Sequence, residues 1–327
     1  GDVVARMGGD EFAVLLHQMN DPNTATDLAE RLQDVLRLPM HIGGVAVATS
    51  ASMGITFSSL GYTAPEEMLR DADTAMYRAK ASGKARCALF DAALHTEVSN
   101  RLQLENDLRA AIAQETLDIV YQPLFHIGNG RLRGFEALTR WNHPTRGPIP
   151  PSIFIPIAEE SGLIIELSDL VLVRACRQLR LWQEIDPSLR DLKLQVNMSA
   201  ADLAHSALFE RVARALRSTH FTPHLLTLEL TESILMTGVE SALPALDALR
   251  RLGVSLAIDD FGTGYSSLSY LSTLPIDSLK IDRSFVHGMR LGSKDAEIVR
   301  AIVSLGATLG KSVVAEGIET VSQLAQL

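Results

Sequence analysis

Cysteine is nearly absent: Cys87 and Cys176 are the only two in 327 residues, far apart and outside any C-x-x-C spacing. That argues against a disulfide framework or a cysteine metal site and fits a reducing, cytoplasmic setting. No run of about 18 apolar residues occurs, so no membrane span is expected within the chain. Positive charge is scarce as well, with 30 Lys+Arg against 39 Asp+Glu and a net charge of −9. The basic stripe of a protein that binds a nucleic-acid polymer is missing. Such acidity would also repel an anionic phosphate substrate unless metal ions or local Arg and Lys intervene. Neither an initiator Met nor a signal peptide opens the chain at Gly1-Asp2-Val3, and it stops inside a helical stretch, Thr320 to Leu327. A fragment cut at both ends is the expectation. What is present is ample apolar material, 46% hydrophobic against 21% charged, enough for a packed core. The length suits two domains, or one large barrel and a remnant.

The first stretch, residues 1–90, has an α+β texture. Val3 to Arg6, a Gly8-Gly9 turn and the apolar run Ala13 to Leu16 predict a hairpin. Asn23 to Leu36 has helical spacing, Val45 to Phe57 reads as one or two strands, and a further helix is expected from a capping box of Thr63 and Glu66. Gly83 would end that helix. Residues 91–113 read as a continuous connecting helix, and no Gly/Pro/Ser-rich linker interrupts it. From residue 114 on, short β runs alternate with amphipathic helices such as Asp169 to Glu184 and Leu243 to Leu252. The β runs are Ile119–Gln122, Leu132–Leu138, Leu192–Val196, Leu225–Leu230, Val254–Ile258, Ser278–Ile281 and Ser312–Ala315. Repeated β–α units predict a parallel sheet, open or closed into a barrel. Seven strands are one short of a TIM-type barrel, and an eighth would come after Leu327.

Acids gather at the ends of these runs. Glu136 ends the second, Asn197 the third, Glu229 the fourth, Asp259 and Asp260 the fifth, and Glu316 the seventh, with Lys280 on the sixth. In a barrel these positions converge on the C-terminal face, where barrel enzymes place their chemistry. Unpaired, so many buried acids would repel one another and raise their pKa values. Divalent cations remove that conflict, and a set of Glu, Asp and Asn without His or Cys suits Mg²⁺ or Mn²⁺. The set exceeds what one ion needs, so two metals are the natural reading, a pair able to activate water against a phosphodiester. The loop Asp260-Phe261-Gly262-Thr263-Gly264 lacks the third glycine of a dinucleotide fingerprint, Ser267 standing there instead. It reads as a flexible catalytic loop.

Phe135-Glu136-Ala137-Leu138-Thr139-Arg140-Trp141 resembles the signature of the EAL domain, the cyclic di-GMP phosphodiesterases of bacteria. The resemblance continues in order through Tyr121-Gln122-Pro123, Val196-Asn197-Met198-Ser199, Glu229-Leu230-Thr231-Glu232, Asp259 to Leu268, Leu279-Lys280-Ile281-Asp282 and Ala315-Glu316-Gly317-Ile318-Glu319. It implies an α/β, TIM-like (β/α) barrel lacking its last β/α unit over residues 114–327, hydrolysing cyclic di-GMP to linear pGpG. It further implies that Glu136, Asn197, Glu229 and Asp259 hold one metal. Asp259 would bridge to a second, held with Asp260 and Glu316. Lys280 would orient the attacking water, and a general-base role for Glu316 stays open beside the ligand role. Gln122 and Arg140 match positions that contact the nucleotide, and Glu232 the residue that steadies the glycine loop. The family also implies a homodimer through this domain. A receptor that binds cyclic di-GMP without turnover is the alternative.

Arg6-Met7-Gly8-Gly9-Asp10-Glu11-Phe12 resembles the GGDEF signature of diguanylate cyclases, with later matches at Ser52 to Thr56 and Ala72 to Lys80. This implies a partial α+β GGDEF domain, a GTP site that regulates the phosphodiesterase, and a parent protein that could combine both activities. The part displayed here is not expected to make cyclic di-GMP.

Overall fold

Two textures in the sequence correspond to two units, Gly1–Leu104 and Glu105–Leu327. The computed structural model describes residues 2–17, 23–43, 45–47, 49–90, 92–232, 234, 239–264, 271, 273–290 and 292–327. Asp91, at the expected start of the connecting helix, and Tyr265 to Leu268 of the glycine loop lie outside the described residues.

In the first unit, strands β1 (Val3–Gly8) and β2 (Glu11–Leu15) pair antiparallel, as the hairpin pattern predicts. Gly9 at the turn takes φ +55°, a conformation open to glycine at little cost. Helix α1 (Asn23–Arg37), strands β3 (Met40–Ile42), β4 (Val45–Val47) and β5 (Met53–Ile55), helix α2 (Pro65–Ala81) and strand β6 (Cys87–Leu89) follow. The cap of α2 lies one residue later than the Thr63/Glu66 pattern suggests. Glu67, not Glu66, reaches back, its Oε2 accepting from the backbone N–H of Thr63 at 2.9 Å and of Ala64 at 3.3 Å. Pro65 sets this register, because it fits the first helical position where no N–H is needed. Ala75 and Ala79 are buried on this helix. Gly54 on β5 passes so close that a Cβ there would overlap the Ala72 carbonyl and the Met76 amide. Strand β6, which the sequence pattern leaves unassigned, pairs parallel with β5. Helix α3 (Ala92–Ala113) carries the chain across the division between the units.

The second unit is an eight-stranded sheet: β7 (Asp118–Phe125), β8 (Leu132–His143), β9 (Gly147–Ile149), β10 (Lys193–Asn197), β11 (Leu226–Thr231), β12 (Ser255–Phe261), β13 (Ser278–Ile281) and β14 (Ser312–Ala315). The order β14-β13-β12-β11-β10-β8-β7 runs as an open path, with β9 attached to β8. Strands β8 and β10 to β14 are mutually parallel. The result is an incompletely closed (β/α) half-barrel preceded by a mixed α+β region. One expectation is corrected: β7 joins β8 antiparallel, with Gln122 opposite Glu136. A parallel pair needs a crossover of about a dozen residues or more. Here the His126 carbonyl accepts from the Gly130 N–H at 2.8 Å and closes a short turn instead. Strand β8 also runs past Leu138 to His143, so Glu136 sits within the strand rather than near its end. Its extension pairs with β9, Trp141 opposite Ile149.

Crossover helices cover the parallel strands, among them α4 (Pro151–Ser161), α5 (Ile164–Ile185), α6 (Ala200–Ala204), α7 (Leu208–Thr219), Val239–Leu252 and Lys294–Thr308. Residues Leu226 to Leu230 of β11 are all buried, as expected for a central parallel strand covered on both faces. Trp141 is buried and packs edge-on against Phe154. His143 is buried and hydrogen-bonded through Nε2 to the Asp107 carboxylate at 3.1 Å. Among the described residues no helix is long and apolar enough to cross a membrane.

Candidate active site

Side chains alternate across a strand, so Glu136, Asn197, Glu229, Asp259 and Lys280 can share one face of the half-barrel despite their spread along the chain. Parallel register aligns them: Asn197 lies beside Glu229, Thr231 beside Asp259, and Glu136 beside Gln195. Four carboxylates converge on the ammonium of Lys280. Nζ lies 2.7 Å from Glu229 Oε2, 2.7 Å from Glu316 Oε1, 3.2 Å from Glu136 Oε2 and 3.2 Å from Asp259 Oδ1. Lys280 and Glu229 are both fully buried, at 0% exposure, so little of this charge is screened by water. Asn197 joins from the side, its Nδ2 donating to Glu136 Oε1 at 2.9 Å.

The electrostatics follow from burial and crowding. Burial alone would depress the Lys280 pKa, but Glu229, Glu136, Asp259 and Glu316 together raise it well above the ordinary lysine value. Lys280 is therefore a fixed cation. Burial pushes the Glu229 carboxyl well above its usual range; the nearby Lys280 opposes that shift, and the Glu136 and Asp259 charges add to it. Glu316 is raised as well, first by burial. One ammonium stands against four carboxyl groups, and their crowding adds to the burial that raises Glu229 and Glu316.

Asp260 stands next to this group rather than in it. Its backbone takes φ +53°, and its N–H donates to Asp259 Oδ1 at 3.0 Å. Its carboxyl lies beside that of Asp282 and is raised by burial, by Asp259 and by Asp282. The left-handed turn costs a non-glycine residue about 1 kcal/mol or more, and it points successive acids in different directions. Glu232, at the end of β11, is buried and accepts from the Gly262 N–H through Oε2 at 2.8 Å, which ties down the start of the glycine loop. Gly264 packs against the same carboxylate: a Cβ there would lie 2.6 Å from Glu232 Oε1. Gln122 is exposed on β7 opposite Glu136. Arg140 lies four residues beyond Glu136 on β8, half-buried, with Nη1 donating to the Thr139 carbonyl at 2.9 Å.

Among the described residues no three His, Cys, Asp or Glu side chains stand in the geometry that holds a metal ion; Lys280 Nζ occupies the centre the carboxylates share. The donor set still fits hard divalent cations, being all oxygen, anionic and rigidly mounted. One observation points the same way: Glu229 Oε1 is buried and has no hydrogen-bond partner, an orphaned anionic oxygen of the kind a cation would satisfy. Two neighbours carry no role in the sequence reading. Gln195 is buried beside Glu136 with its Oε1 also unpartnered, and alternation of Gln195 with Asn197 on β10 was the available signal. Asp282, beside Asp260, follows Lys280 by two residues and closes the motif Leu279-Lys280-Ile281-Asp282 without a role of its own there.

Residues 105–327 match the family model described as EAL domain, and residues 1–86 that of the diguanylate cyclase GGDEF domain. The chain is 44% identical over 322 residues to the bifunctional diguanylate cyclase/cyclic di-GMP phosphodiesterase MucR of Pseudomonas aeruginosa, covering 98% of this chain and 47% of that protein. It is 40% identical over 326 residues to the cyclic di-GMP phosphodiesterase NbdA of the same organism, covering 100% of this chain and 41% of that one. The chain thus spans less than half the length of these curated relatives. Among solved structures, the PaMucR phosphodiesterase in its c-di-GMP complex matches with a TM-score of 0.65 and 46% identity, over 69% of this chain and 90% of that one. The second unit matches in family model, in sequence and in overall structure, and the chain belongs to the EAL domain family, with a GGDEF domain segment ahead of it.

Proposed function

We propose that this chain hydrolyses cyclic di-GMP to linear pGpG. The observation that carries the reading is the convergence of Glu136, Glu229, Asp259 and Glu316 within 3.2 Å of one buried ammonium, in a chain whose relatives include proteins named as cyclic di-GMP phosphodiesterases. In the reaction, the oxygen of a water bonds to phosphorus and the bond from phosphorus to the ribose 3′ oxygen breaks, leaving a 5′ phosphate on the opened dinucleotide. Glu136, Asn197, Glu229 and Asp259 would hold one divalent cation. Asp259, Asp260 and Glu316 would hold a second, Mg²⁺ or Mn²⁺ in each case. When bound, such ions supply an acidified water and charge stabilisation for the departing oxygen.

The chain's own residues do the rest. Lys280, a permanent cation on a rigid strand, would orient the attacking water, and its proximity to Glu316 places donor and acceptor together. Glu316, with its raised pKa, would take the water's proton if it serves as general base. Arg140 offers a planar fork that matches phosphate oxygens, and exposed Gln122 would contact the nucleotide. Glu232 would act through the loop it anchors at Gly262. A GTP site on the first unit that tunes this activity, and a homodimer through the second, belong to the same proposal, as does action in the cytoplasm.

The test is cyclic di-GMP turnover in Mg²⁺ or Mn²⁺, with pGpG resolved by chromatography. Metal-dependent pGpG that disappears in Glu136→Ala supports the reading. Tight nucleotide binding without product, from folded protein, makes the chain a receptor and overturns it.

A further inference from the structure

Behind the strand end that carries Asn197, a buried polar cluster joins three helices and has no place in the chemistry above. Asp202, on α6, is fully buried at 0% exposure. Its Oδ2 accepts from the Ser199 N–H at 3.0 Å, from Ser199 Oγ at 2.7 Å and from Ser168 Oγ, on α5, at 2.7 Å. Its Oδ1 accepts from Arg211 Nη2, on α7, at 2.8 Å. Arg211 is buried too, and it donates from Nε to Asp169 Oδ1 at 2.7 Å and from Nη2 to the Ile165 carbonyl at 2.9 Å. Its Nη1 is buried with no hydrogen-bond partner.

A buried ion pair is a poor device for stability, since well-packed apolar residues usually serve as well or better. A guanidinium left one bond short makes it poorer still. What the pair does supply is a fixed point. Asp202 closes a capping box on Ser199, whose Oγ in turn accepts from the Asp202 N–H at 3.1 Å. Ser199 is two residues from Asn197. The intervening Met198 N–H donates to the Glu229 carbonyl at 2.9 Å, and Asn197 Nδ2 reaches Glu136. Residues 197 to 199 are therefore held at one end by the carboxylate cage and at the other by Asp202.

We propose that Asp202, locked by Arg211, is a positioning residue that fixes Asn197 through Ser199 and thereby sets the affinity of the site for a divalent cation. The proposal rests on the reading of Asn197 as a cation ligand. Partners behind a ligand typically control metal affinity by 10- to 100-fold when removed. The test is Mn²⁺ binding to the full chain without nucleotide, followed by the electron paramagnetic resonance of free Mn²⁺. Wild type, Glu136→Ala, Asp202→Asn, Ser199→Ala and Ser199→Thr are compared, with circular dichroism as the check on folding. Wild-type binding should weaken about tenfold or more in Asp202→Asn and in Ser199→Ala, and Ser199→Thr, which keeps a capping hydroxyl, should restore it. If Asp202→Asn does not fold, Ser199→Ala decides, because it leaves the ion pair in place. Binding that is lost in Glu136→Ala yet unchanged in folded Ser199→Ala overturns the positioning role alone. Wild type that binds no Mn²⁺ overturns the cation reading and this proposal with it.

Discussion

Replacing Lys280 by methionine tests the electrostatic account of the site most directly. Methionine roughly keeps the volume of the lysine stem, so the change removes the charge with little cavity. Four carboxylates that lay within 3.2 Å of the ammonium would then face one another in a buried setting. Removing one partner of a buried pair costs about 3–5 kcal/mol. For a urea slope near about 3 kcal/mol/M the midpoint falls by at least about 1 M. Both tryptophans, Trp141 and Trp182, lie in the second unit, so their fluorescence reports that unit alone. The melt is run in EDTA at pH 7 and again at pH 5. Without Lys280, the opposition it offers to the raised Glu229 and Glu316 pKa values is gone, and both rise further. A carboxyl whose folded pKa exceeds its unfolded value of about 4.3 binds more protons in the folded state. Its contribution is present at low pH and is lost as pH rises through that window. The deficit of Lys280→Met should therefore shrink from pH 7 to pH 5, and Mn²⁺ should offset part of it at pH 7. A variant as stable as wild type at pH 7 in EDTA would refute the reasoning.

Three further outcomes are expected. Glu232→Ala removes the acceptor of the Gly262 N–H; it should cost about 1–3 kcal/mol and lower pGpG formation about tenfold or more, read by chromatography on folded protein. Gly134→Ala should prevent folding of the second unit or lower its melting point steeply, because a Cβ there would overlap the Lys193 backbone carbonyl across β8 and β10; tryptophan fluorescence during heating reads it. Burial pushes the Cys176 thiol up to about 12 from an ordinary 9.0, so iodoacetamide should label half-buried Cys87 first. For Cys176 the folded pKa is the higher one, so its contribution to stability is complete below about pH 9 and fades as pH climbs toward 12.

Much of the fold could be read from local pattern. The seven β runs all form strands, because alternation and β-branched content are local properties. Other features needed partners far along the chain. β9 and β6 have three residues each, too short for a periodic signal, and each exists by pairing, β9 with the long β8 and β6 with the equally short β5. The reversal between β7 and β8 depends on a turn at Gly130 that the count of β–α units does not register. The α2 cap moved by one residue because Pro65 fixes where the first turn begins.

For the site, the sequence by itself determined which residues carry charge and that they fall on successive β runs, since side-chain chemistry and strand periodicity are written locally. Tertiary structure decided who meets whom. Only the parallel register brings Glu136 and Lys280, 144 residues apart, to 3.2 Å, and only the left-handed turn at Asp260 sends its carboxyl toward Asp282 rather than toward Lys280. The buried Asp202–Arg211 pair was half legible, as Ser199-x-x-Asp202 is a capping-box pattern. That it is also a buried ion pair became visible only once α5 and α7 closed over it and removed the water that would otherwise have screened it.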